Sequence, residues 1–100
     1  MARIVTLYWR DIPAQVIAKQ GRRSAKRALS GRFQEAIDDA AMRSGAHGSD
    51  AYLAEWRRGA PAPCGDDLET EAAAAAARVE AAYGDDRLAA LVRADGREAG

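Results

Sequence analysis

The sequence predicts an α/β fold of the α+β type. It is a two-layer sandwich in which a small, mainly antiparallel three-stranded sheet carries helices on one face, in the order β-β-α-β-α-α. Three observations lead there. Residues 4–9, 14–19 and 51–57 alternate side chains with a period of two, as half-buried strands do. Phe33, Ala36, Ile37, Ala40 and Ala41 recur at helical spacing between the second and third of these runs. Ala72 to Ala77 are consecutive alanines, the residue with the highest helix propensity.

Ile4 to Trp9 is β-branched and aromatic, as strands prefer. Val5, Leu7 and Trp9 fall on one face, and Ile4, Thr6 and Tyr8 on the other. Asp11-Ile12-Pro13 interrupts the run, because Pro13 has no N–H and biases Ile12 away from helix. Ala14 to Lys19 then places Ala14, Val16 and Ala18 opposite Gln15, Ile17 and Lys19. The short connection predicts an antiparallel hairpin. Val5, Leu7, Trp9 and Val16 are expected to face the helices, leaving Ile4, Tyr8 and Ile17 outward.

Gly21 to Arg32 reads as a basic connector with Arg22, Arg23, Lys26, Arg27 and Arg32 and no acid. Ser30 suits an N-cap and Gly45 a helix stop. After a turn at residues 46–50, the third strand puts Tyr52, Ala54 and Trp56 on one face. Its expected place is beside the first strand, antiparallel to it. Gly59 to Gly65 is a linker kept irregular by Pro61 and Pro63. Asp66 to Tyr83 is a helix that Asp66 or Asp67 can cap, with Leu68, Ala72, Ala75, Val79 and Ala82 as its buried stripe. Gly84 ends it, and a short last helix carries Leu88, Leu91 and Val92. The expected domain is residues 1–94, followed by a flexible tail at 95–100.

Composition bounds the chemistry. One hundred residues make one domain, and 25 of them are Ala, so large core side chains are few. Net charge is zero but unevenly spread: residues 1–58 hold 11 Lys/Arg against 6 Asp/Glu, and residues 59–100 hold 4 against 9. Either the two halves simply attract weakly through solvent, or they form a basic face for an anionic partner and an acidic helical flank. Cys64 stands alone, without a CxxC or a His/Cys ligand spacing, which fits a reducing, cytoplasmic setting. No leader or membrane-spanning run is read.

No catalytic, cofactor-binding or metal residue is assigned. His47 lies alone in a turn, and a nucleophile–base pair would need it within reach of Cys64. Asp38-Asp39, Asp66-Asp67 and Asp85-Asp86 suit solvated or capping positions, and no GxGxxG, GxxxxGK[ST] or HExxH occurs. The residues singled out are instead the aromatics Tyr8, Trp9, Tyr52 and Trp56, as core or platform, and the arginines Arg10, Arg22, Arg23, Arg57 and Arg58, as a partner- or anion-binding set. With one helical layer, the second sheet face stays open, and aromatic residues and Arg with a polar rim make a protein-docking composition. Arg22, Arg23, Arg57 and Arg58 are expected to cluster, with Arg10 apart.

Leu7-Tyr8-Trp9-Arg10-Asp11-Ile12-Pro13-Ala14-Gln15-Val16, Arg32-Phe33-Gln34-Glu35-Ala36-Ile37-Asp38 and Asp50-Ala51-Tyr52-Leu53-Ala54-Glu55-Trp56 together resemble the small bacterial "virulence factor" domain family. That family also occurs within conserved virulence factor C. The resemblance spans roughly residues 3–85 and rests mainly on the Tyr-Trp-Arg-Asp-Ile-Pro-Ala-Gln string. It implies no catalytic residues and no cofactor. The functional expectation is a non-enzymatic adaptor that docks on a protein partner. Two alternatives stay open. The resemblance suggests an accessory protein or enzyme of one-carbon or corrinoid methyl transfer, and the basic stretch suggests nucleic-acid binding.

Overall fold

The computed structural model describes residues 1–98. Strands β1 (Arg3–Trp9) and β2 (Ile12–Gln20) form the expected antiparallel hairpin, from Arg3 opposite Lys19 to Trp9 opposite Ile12. The basic connector does not stay irregular. It becomes strand β3 (Arg23–Ala28), paired antiparallel with β2 along its whole length. The reason lies in the turn: Gly21 has φ of +60°, and glycine at the first central position of a two-residue turn matches the right-handed twist of the flanking strands.

Helix α1 (Gly31–Ser44) buries the predicted stripe Phe33, Ala36, Ile37, Ala40 and Ala41 and stops at Gly45, which is left-handed with φ of 76°. The third predicted strand is corrected. Ser49–Ala54 is a short helix, α2, and only Trp56–Arg58 is a strand, β4. Tyr52 and Trp56 are four apart, a spacing that fits a helical face as well as alternation, and Ala51, Leu53 and Ala54 favour helix. As expected, β4 lies antiparallel beside β1, with Trp9 opposite Trp56. Ala62–Pro63 form a two-residue strand, β5, against the start of β1.

The sheet is therefore five-stranded among the described residues, with main order β3-β2-β1-β4, rather than three-stranded. Helix α3 (Leu68–Ala82) starts where Asp67 accepts a hydrogen bond from the Thr70 N–H at 3.2 Å, and α4 (Asp85–Arg93) follows Gly84. Arg32 ties the helices together. It donates to the carbonyls of Glu80 and Tyr83 and pairs with the carboxylates of Glu80 and Asp85.

Ile12, Val16 and Ala18 lie on one face of β2, because they share parity along the strand. Ile12 packs with Trp9, Phe33, Ile37, Leu88 and Leu91, while Val16 and Ala18 pack with Ala2, Ala25, Leu68, Ala72 and Ala75. Both clusters thus sit on the same side, and all the long helices cover that side. The facing expected for β1 needs correction. The pairing slips between Leu7 and Tyr8, so that Ile4 and Trp9 both point inward. Val5 and Leu7, expected inward, point outward with Tyr8 and Ile17. A bulge sets a strand's alternation against its partner in this way.

Candidate docking surface

The Tyr8-Trp9-Arg10-Asp11 string forms the end of the first hairpin, and most of its side chains are committed to the fold. Trp9 is 0% exposed, stacks on Tyr52 with centroids 5.8 Å apart, and donates its indole N–H to the Tyr52 carbonyl at 2.9 Å. Trp56 meets Tyr52 edge-on at 5.9 Å. Three of the four predicted aromatics are therefore one inner cluster. Tyr8 lies on the opposite face, with the Arg57 guanidinium 4.5 Å over its ring. Gly59 lies against Tyr8 too closely for any side chain, since a Cβ there would stand 2.8 Å from the ring.

Arg10 turns the hairpin with φ of +52°, a region that costs a non-glycine residue on the order of 1 kcal/mol or more. Its surroundings hold it there. The backbone N–H donates to the Glu55 carbonyl, the side chain pairs with Glu55 at 3.1 Å, and it donates to the Asp95 carbonyl at 2.8 Å. Asp11 accepts from the Glu98 N–H at 2.6 Å and pairs with Arg57 at 2.9 Å. The Glu98 hydrogen bond, opposed by partial burial and helped by Arg57, holds the Asp11 carboxyl below its ordinary value. Residues 95–98, expected as a flexible tail, run back over this turn: Gly96 is buried and accepts from the Asp11 N–H at 2.8 Å. Ala99 and Gly100 lie outside the described residues.

The arginines group differently from the expected cluster. Arg57 donates to the Arg10 carbonyl at 2.8 Å, so Arg10 and Arg57 are neighbours. Arg22 and Arg23 lie at the other end of the sheet, where Gln20 opposes Arg23 and Lys19 opposes Arg3. The cause is register: β4 pairs with the last residues of β1, beside the first turn, while the second turn lies at the far end. Arg58 opposes Leu7 on the edge strand β4.

The outer face has its own chemistry. Cross-strand pairs place Arg3 beside Lys19, Ile17 between Val5 and Lys26, and Leu7 between Gln15 and Arg58. Val5 and Ile17 are only 7% and 5% exposed although no helix covers them. The long stems of neighbouring Lys and Arg side chains shield such positions while keeping their charges in water. Every ion pair among the described residues uses Arg10, Arg32, Arg43, Arg57, Arg87 or Arg97. Arg3, Lys19, Lys26 and Arg58 take part in none of them. Residues 1–30 carry seven Lys/Arg and one acid, Asp11, which Arg57 already neutralises. The sequence pointed to Lys26 only as part of a basic, phosphate-binding connector, and it did not single out Arg3. The missed signal was Gly21, which converts the basic connector into a strand of this face.

The concavities are shallow. One of about 340 Å³ is lined by Met1, Ala2, Arg3, Pro61, Ala62 and Pro63. Another, of about 290 Å³, holds His47 beside Asp38, Met42 and Tyr52 on the helical side. Burial, then Glu71 and Asp66, push the Cys64 thiol up. No group of three metal-ligating side chains occurs among the described residues, and no described helix is long and apolar enough to cross a membrane.

A family model described as "Virulence factor" matches residues 7–92. No curated protein and no solved structure matches the chain.

Proposed function

We propose that this chain, which belongs to the virulence factor family, is a non-enzymatic docking module that binds an acidic surface of a protein partner through its open sheet face. The observation that carries this reading is the set Arg3, Lys19, Lys26 and Arg58 around the apolar pair Val5 and Ile17, with no carboxylate paired to any of the four. Cations in solvent steer encounter with an oppositely charged partner, and a shielded apolar patch beneath them adds contact area once the stems move aside. A protein fits this face better than a single-stranded nucleic acid. Base stacking needs free aromatic platforms. Here Trp9, Tyr52 and Trp56 pack in the inner cluster and Arg57 covers Tyr8.

The test is affinity capture from the producing cell by the wild-type chain and by a variant carrying Arg3→Glu, Lys19→Glu and Arg58→Glu. The wild type should retain a partner that high salt releases, and the variant should lose it while keeping its circular dichroism spectrum. Equal recovery of the same partner by a folded variant would overturn the reading.

A further inference from the structure

Strand β3 is the sheet's one long edge among the described residues. It pairs with β2 in unbroken register, from Gln15 opposite Ala28 to Gln20 opposite Arg23. Nothing pairs with its other side, so a row of backbone N–H and C=O groups faces outward along its six residues. The opposite edge is unlike it: β4 has three residues and β5 two, with an irregular segment between them.

Cations flank this edge on both faces. Arg23 and Arg27 share the parity of the buried Ala25, while Lys26 shares the outer face with Ile17. Lys and Arg on an edge repel an identical edge, so pairing between two copies of this chain is disfavoured. The same charges select a strand of opposite sign. Asp67 and Glu69 stand near Arg23 across a hollow of about 280 Å³, without pairing to it. Arg27 and Lys26 therefore carry the selection. Resting on the docking reading above, we propose that β3 receives an extended acidic segment of the partner as an added strand. One carboxylate would oppose Lys26 on the outer face and its neighbour would oppose Arg27 on the inner face. Main-chain hydrogen bonds give such strand addition its affinity, and alternate side chains give it its sequence preference.

The probe is a capped synthetic peptide of about eight residues, rich in Glu and Thr and long enough to match a typical strand. Its twin is N-methylated at every backbone amide, which removes the donors of both strand edges and leaves the charge unchanged. Full-length chain should bind the first peptide, with slowed hydrogen exchange confined to β3 and its neighbours. The N-methylated twin should bind at least about tenfold more weakly, as loss of two or three net hydrogen bonds implies. Lys26→Glu with Arg27→Glu should weaken the first peptide by a similar factor in a folded domain. Equal binding of the two peptides would overturn strand addition, and so would an absence of β3 protection at saturating peptide. The outer-face variant at Arg3, Lys19 and Arg58 leaves β3 intact, so failure of the docking reading itself is seen separately.

Discussion

Replacing Trp9 by Phe tests the pivot on which the first turn, helix α2 and the C-terminal residues meet. The indole is fully buried and its N–H satisfies the Tyr52 carbonyl at 2.9 Å. Phenylalanine keeps an aromatic ring but removes that donor, at about 1 kcal/mol for the lost bond and somewhat more for a carbonyl left dry. The smaller ring also leaves a void beside Gly96, whose Cβ position would stand 3.1 Å from the indole, and the cavity adds about 1 kcal/mol or more. A total of about 2–3 kcal/mol is a large part of the roughly 5 kcal/mol that holds a domain of this length. At about 4–8 °C per kcal/mol, the melting temperature should fall by roughly 10–20 °C. Trp9→Ala, at about 3–5 kcal/mol, should leave much of the chain unfolded at 25 °C. Melting followed by circular dichroism and calorimetry reads both. A Trp9→Phe midpoint within a few degrees of wild type would refute a buried, hydrogen-bonded Trp9.

Three further outcomes follow from the same contacts. Arg32→Ala should cost about 1–3 kcal/mol, because it strips the last carbonyls of α3 of a charged donor, and Arg32→Lys should restore only part of this since it lacks the planar fork; a melting curve unchanged in Arg32→Ala would contradict it. Asp11 and Glu80 are both held below the ordinary carboxylate value, the first mainly by the Glu98 N–H, the second by Ser30 and Arg32 against the opposing effect of burial. Their stabilisation is complete above the unfolded-state values near pH 4 and is lost as pH falls through the lower folded-state values, so stability should be flat from about pH 7 to 5 and drop below about pH 4; Asp11→Asn should flatten that drop, and an identical acid profile would count against the assignment. Cys64→Ser should change stability by no more than about 0.5 kcal/mol and leave partner capture intact, with loss of capture pointing to a thiol role.

Much of the helical layer was legible in the sequence. Phe33, Ala36, Ile37, Ala40 and Ala41 show one period only, Gly45 has a steric reason to end the helix, and Asp67 has a capping geometry open to no aliphatic residue. The first hairpin and the placement of β4 beside β1 were legible too. What alternation did not reveal was the slip between Leu7 and Tyr8. A bulge is decided by how two strands and a turn fit together, and no single strand's pattern records it. Helix α2 was hidden because Tyr52 and Trp56 satisfy two periods at once. Strand β3 was hidden because Arg23-Ser24-Ala25-Lys26-Arg27 buries only Ala25, so an edge strand resembles a solvated loop. The anchoring of Arg10 and Asp11 was hidden because their partners, Glu55, Asp95 and Glu98, lie more than forty residues away.

The central claim is that the uncovered sheet face, and not the helical layer, meets the partner. A photo-crosslinking amino acid placed at Lys19 or Lys26 on the outer face, and at Asp39 on the exposed side of α1, tests it in the producing cell. The account predicts a discrete higher-mass adduct from Lys19 and Lys26, diminished by high salt before irradiation, and none from Asp39. An adduct from Asp39 with none from either sheet position would contradict it.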